Sequence, residues 1–150
     1  MPEVPVSAGA ILLDPFDRVL ILKPTYKSGW TIPGGVMEAD GESPWDACRR
    51  EVREETGLVV RTGRLVCVDT RPAKRGRKLG LRFLFHCGHL SAPQADSVAV
   101  DGVEISEHRF VPADQASTML RPAVSRRVLA ALGTQTCRYL EDGRDAQGCS

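Results

Sequence analysis

Aromatic residues are scarce in this chain: Trp, Tyr and Phe make up 5% of its 150 residues. A surface that stacks successive bases needs such rings, so nucleic-acid binding by stacking has little to build on. An excess of one charge is missing too. Twenty Lys and Arg face nineteen Asp and Glu, a formal net of +1, and no global field points to a nucleic acid or a membrane surface. Long hydrophobic runs are absent: Ala8 to Leu13 is far shorter than the roughly 20 apolar residues of a membrane-spanning helix. Met1-Pro2-Glu3-Val4-Pro5 lacks the basic and apolar regions of a secretory signal. The five cysteines are an odd set with no Cys-x-x-Cys spacing, which argues against a disulfide framework and for a reducing, cytoplasmic setting. His86, Cys87 and His89 are neighbours, but their spacing is not that of an established zinc site, and strand-end residues are the simpler reading.

What is present is one domain's length of chain, 42% hydrophobic, enough to bury one sizeable core. No linker or repeat divides it. Residues 1–141 read as one domain and 142–150 as a polar, disordered tail. Val6–Leu13 and Val19–Leu22 read as strands around the turn Asp14-Pro15-Phe16-Asp17. Pro33-Gly34-Gly35 is a break, and a helix follows over Pro44–Thr56. Further strands are expected at Leu65–Val68, Leu81–Phe85, His108–Val111 and Thr136–Leu140, with a second helix over Pro122–Leu132. Strands and two helices in this order predict an α+β fold, a mixed sheet between helices.

The first helix carries the chemistry. Ser43-Pro44-Trp45-Asp46 is a capping box with Pro at the first helical position, and Gly57 supplies the stop. Trp45, Cys48 and Val52 share the flank that faces a core. Glu51, Glu54 and Glu55 share a neighbouring face, their origins within about 6 Å along the axis. Such like charges repel, by about 0.2–0.5 kcal/mol per pair. A charge-rich solvated helix is one reading; a site for a hard divalent cation, which prefers oxygen ligands, is the other. The Gly34-Gly35 pair before the helix favours the second, because backbone can approach closely there.

The segment Gly35 to Glu42, continued by Arg50-Glu51-Val52-Arg53-Glu54-Glu55-Thr56-Gly57-Leu58, resembles the Nudix box, G-x5-E-x7-R-E-U-x-E-E-x-G-U with U aliphatic. From Glu42 onward every specified position matches; between Gly35 and Glu42 there is one extra residue. The resemblance implies an α/β/α sandwich that hydrolyses a nucleoside diphosphate linked to another group. It implies Mg²⁺ or Mn²⁺ held by Glu51, Glu54 and Glu55 with the Gly34 carbonyl, Arg50 orienting the carboxylates, and Glu42 behind them or on a further ion. Glu104, favoured over Glu107 in the late acidic loop, is the candidate general base beside the box glutamates.

Arg71, Lys74, Arg75, Arg77 and Lys78 crowd one connection. It reads either as a solvated loop tip or as a basic lip for phosphate, with Arg75, Arg77 and the distant Lys23 as contacts. Trp30 reads as core packing. The expected partner is a small nucleoside diphosphate derivative: ADP-ribose, to which Pro72 gives a faint resemblance, a sugar nucleotide, or a nucleoside triphosphate. The alternative is a catalytically silent module that binds a nucleotide or an RNA end. Monomer and homodimer both stay open.

Overall fold

The computed structural model describes residues 1–149. Its strands are β1 (Val6–Leu13), β2 (Val19–Pro24), β3 (Gly34–Val36), β4 (Arg64–Arg71), β5 (Gly80–His89), β6 (Ile105–Val111), β7 (Arg138–Glu141) and β8 (Arg144–Asp145). The helices are α1 (Pro44–Thr56), α2 (Ala92–Asp96), α3 (Ala113–Met119) and α4 (Pro122–Leu132). All five cysteines are free thiols, and no helix among the described residues is long and apolar enough to cross a membrane.

The sheet order is β6-β2-β1-β5-β4-β7-β8, with β3 pairing to β1 beside β2. Pairing of β1 with β5 and of β4 with β7 is parallel, the rest antiparallel, so the sheet is mixed as expected. The period-two alternation of β1 divides the interior into two cores. Ile11 and Leu13 join Val124, Val128 and Ala131 of α4 and Ala116 of α3 on one face. Ala8, Ala10 and Leu12 join Ala47, Cys48 and Val52 of α1 on the other. Each fully buried aliphatic side chain in these layers is worth about 1.5–3 kcal/mol. Trp45 caps the α1 side, its ring tilted 56° against Phe85 at 5.0 Å between centroids.

Three elements depart from the sequence expectation. β3 is a strand, not only a break, because Gly34 and Gly35 lie opposite Gly9 and Ala8 of β1. A Cβ on Gly34 would sit 2.4 Å from the Ala8 carbonyl oxygen, so this close pairing needs glycine. Between β3 and α1 the chain turns at residues 39–41. α2 carries its own capping box, Ser91 with Gln94, and α3 starts after Pro112 with no side-chain cap.

The tail also differs. Residues 142–145 fold back as β8 against β7, and the amide of Gly143 donates to Asp69 Oδ1 at 2.9 Å. Asp69 is fully buried, and its other oxygen accepts from Arg127 Nε at 2.5 Å. A buried carboxylate persists only when paired and hydrogen-bonded in this way, so the polar residues after Glu141 complete the fold. Ser150, the end of the expected tail, lies outside the described residues.

Candidate active site

The capping box of α1 is formed: Ser43 Oγ accepts from the Asp46 amide at 3.1 Å, the Ser43 amide donates to Asp46 Oδ2, and Gly57 ends the helix in the left-handed region at φ 78°. These local signals fix the helix phase, and the phase aims Glu51 and Glu55 at β3. Glu55 Oε1 accepts from the Gly34 amide at 2.7 Å. A Cβ on Gly35 would lie 2.5 Å from the Glu51 carboxyl carbon, so the Glu51 carboxylate occupies space that only glycine leaves open.

Arg50 is the hub. Its Nε donates to Glu42 Oε2 at 2.7 Å and its Nη2 to Glu42 Oε1 at 3.0 Å, a bidentate pair. Nη1 reaches Glu51 at 2.9 Å and Glu54 at 3.2 Å, with Glu38 at 3.7 Å, and Nη2 also donates to the Val36 carbonyl. Glu42 in turn accepts from the Glu38 amide at 3.0 Å, which closes the loop before the helix. Arg50 holds the Glu42 carboxyl below the usual range, and the hydrogen bonds to Glu42 and Glu51 raise the already high basicity of Arg50.

The other carboxylates move the opposite way. Glu55 is 8% exposed; burial, and after it the charges of Glu51, Glu104 and Glu54, push its carboxyl up to about 8. Glu51 is raised by burial and by Glu54 and Glu104, against the pull of Arg50. Glu54 stays exposed at the rim. The expected convergence of three carboxylates on one point is therefore incomplete: among the described residues no three acidic, His or Cys side chains form a ready ligand set. Arg50 takes oxygens of Glu51 and Glu54, while the Gly34 amide takes Glu55. Gly34 shows its amide, not its carbonyl, to this cluster.

Among the remaining candidates, Glu104 lies within Coulombic reach of Glu51 and Glu55. The Asp101 carboxylate holds its loop by accepting from the amides of Val103, Glu104 and Ile105. Glu107 is drawn away by Lys23 at 3.8 Å and Arg109 at 3.5 Å. Lys23 is thus paired with Glu107 of β6. Arg75 is exposed at the tip of the β4–β5 connection, and Arg77 folds back, Nη2 donating to the Pro72 carbonyl at 2.8 Å. Sequence reasoning missed Glu38 and Tyr26. The phenol of Tyr26 is raised by burial and then by Glu55 and Glu104, which puts the β2–β3 loop beside the site. No spacing signal announces a loop residue of this kind. Trp30 packs against the α4-side core, as expected, with Arg109 stacked over its ring at 5.0 Å.

A helix carrying a glutamate-rich face, seated on a glycine strand in an α/β/α sandwich, is the architecture that the comparisons recover. The NUDIX domain profile matches residues 3–132. The chain belongs to the Nudix family, hydrolases of phosphorus-containing anhydrides that generally use divalent cations. It is 43% identical over 60 residues to the uncharacterized Nudix hydrolase YvcI of Bacillus subtilis, a stretch that covers 40% of this chain and 37% of that protein. Over 130 residues, 85% of this chain and 76% of the relative, it is 28% identical to a MutT-like protein of Streptomyces ambofaciens. In fold it is similar to the NUDIX domain of Shewanella oneidensis NrtR complexed with ADP ribose, with a TM-score of 0.74, 17% identity and 91% of each chain covered.

Proposed function

We propose that this chain is a divalent-cation-dependent pyrophosphohydrolase that cleaves a diphosphate linkage in a nucleoside diphosphate derivative by attack of water at phosphorus. The observation that carries the reading is the seating of Glu51 and Glu55 against Gly35 and Gly34, with Arg50 gripping Glu42, Glu51 and Glu54 from the other side. The donor set fits a hard dication. All its atoms are oxygens, and burial first, then like-charged neighbours, hold the Glu55 proton on up to about pH 8, where a cation would favour the carboxylate instead.

In this reading Glu51, Glu54 and Glu55 would hold Mg²⁺ or Mn²⁺, with the Gly34 amide keeping the Glu55 carboxyl in place. A bound ion would supply charge neutralisation at the diphosphate oxygens. Arg50 keeps the carboxylates oriented, and Glu42 anchors Arg50 in turn. Glu104 accepts the proton of the attacking water: it stands near the box glutamates and has no ion-pair partner among the described residues, whereas Glu107 has two. ADP-ribose, a sugar nucleotide and a nucleoside triphosphate all present the required linkage.

The test is a panel of nucleotide substrates assayed for phosphate or mononucleotide release with Mg²⁺, with Mn²⁺ and with EDTA. The expected outcome is turnover that EDTA abolishes and either ion restores. Full activity in EDTA overturns the mechanism, and no turnover on any member leaves a nucleotide-binding module in its place.

A further inference from the structure

On the α4 side of the sheet, arginines outnumber the acids near them. Asp69 of β4 lies opposite Arg82 of β5, and Arg71 lies opposite Gly80. Residues two apart on a strand share a face, so Arg71 and Arg82 both project on the side of Asp69. Each Asp69 oxygen is already engaged, one by Arg127 and one by the Gly143 amide, and its charge only partly offsets that of Arg82. Arg121 enters from the start of α4. Its side chain lies against the β2–β3 loop, where a Cβ on Gly29 would come within 2.9 Å of Arg121 Cγ, and its amide donates to the Trp30 carbonyl at 3.3 Å.

Partners are what this cluster lacks. Arg71, Arg77, Arg82, Arg121 and nearby Lys27 make no ion pair among the described residues, in a chain where other arginines make many. Among the described residues, the buried side-chain nitrogens and oxygens without any hydrogen-bond partner are Arg77 Nε and Arg121 Nε. Both belong here. The charges press on one another: burial, then Arg127 and Arg71, bring Arg82 down to about 10, and burial, then Arg77, Arg127 and Arg121, lower Arg71. Lys27, lowered by burial and then by Arg121 and Arg82, also feels Glu55, and Tyr26 feels both Glu55 and Arg121. The β2–β3 loop therefore joins the basic cluster to the carboxylates of α1.

A solvated basic face leaves its guanidinium nitrogens to water; half-buried arginines with orphaned Nε atoms cost stability unless an acceptor arrives. Phosphate oxygens suit the planar guanidinium fork, bidentate and charge-assisted. A diphosphate diester whose oxygens already meet a cation has too little charge to satisfy five further cations.

We propose that Arg71, Arg77, Arg82 and Arg121, with Lys27 at the rim, are a receptor for a polyphosphate chain of three or more phosphates, so that the substrate carries anionic phosphate beyond the scissile diphosphate. The inference rests on the pyrophosphohydrolase reading and selects among its substrates, favouring nucleoside triphosphates and longer polyphosphates over ADP-ribose.

The test uses the full chain in EDTA at low salt and inorganic tripolyphosphate as the probe, titrated by calorimetry beside pyrophosphate. Wild type is expected to bind tripolyphosphate more tightly, with an affinity that falls as salt rises. Arg82→Ala and Arg121→Ala are each expected to weaken it at least about tenfold, the loss of a charged hydrogen bond. Arg61→Ala, which removes an exposed charge elsewhere, is expected to change nothing. Circular dichroism checks folding, and if the Ala variant is unstable, Arg82→Lys, which keeps the charge but loses the fork, is expected to bind less tightly than wild type. In turnover with Mg²⁺, Arg82→Ala is expected to raise KM for a nucleoside triphosphate by a larger factor than KM for ADP-ribose. Wild-type affinity in both Ala variants, or an equal loss in Arg61→Ala, overturns the receptor. Arginine-dependent binding without hydrolysis of any nucleotide upholds it and sinks the hydrolase instead.

Discussion

Two charged regions of this molecule sit on either side of one loop and are built on opposite rules. Around α1, four glutamates share Arg50, while Glu55 and Glu104 lack even that. Around the start of α4, arginines accumulate with Asp69 already spent on Arg127. The first region comes almost wholly from residues 38–55; the second collects side chains from residues 27–121. A polypeptide can pair charges cheaply when they are neighbours on a helix, as Arg50 and Glu54 are. Leaving one region short of cations and another short of anions is a cost that a bound phosphate–cation pair offsets on both sides.

The largest expected effect separates function from stability on the acidic side. Glu54→Gln removes a rim carboxylate that is 57% exposed, so folding is expected to change little while turnover with Mg²⁺ drops on the order of 100-fold or more. Near-normal turnover removes Glu54 from the machinery.

Next comes pH. Glu55 rises from 4.5 to about 8 on folding, so between those values the folded chain keeps a proton that the unfolded chain has released. Stability in EDTA therefore falls as pH rises through that window, by up to a few kcal/mol. Glu42, Asp14 and Asp101 are shifted downward, and their contribution, lost only as pH falls below the same window, has the opposite sign. Melting temperature against pH is expected to decline for wild type above about pH 5 and to flatten in Glu55→Gln; parallel curves refute this account of Glu55.

Arg50→Met then tests the shared guanidinium. It leaves Glu42 and Glu51, 12% and 17% exposed, without their cation, and is expected to cost about 1–3 kcal/mol in urea unfolding. Ser43→Ala probes the local signal beneath the whole comparison, through the bond to the Asp46 amide, with an expected loss of about 1 kcal/mol. No loss in either means that tertiary packing alone sets the helix.

Legibility followed the range of the forces. The bounds of α1 and β1 stand where the sequence puts them, because a capping box, a glycine stop and an apolar run are local. β3 was not legible as a strand: two glycines have no strand propensity, and pairing with β1 alone makes them one. The short α2 was readable from Ser91 and Gln94; α3, without a side-chain cap, was not. The glutamates of the site were visible as a spacing. Arg71 and Arg77 were visible as part of a basic connection, but their union with Arg121 arises from the packing of α4 and the β2–β3 loop, which no spacing encodes.

The bond between Gly143 and Asp69 bears on where this domain can be cut. The family match ends at residue 132, and a chain trimmed there would lose β7, β8 and the amide that caps Asp69. Asp69 would then keep only Arg127, on the strand that also carries Arg71. The edge of homology thus falls short of an interior bond from a backbone amide to a buried carboxylate.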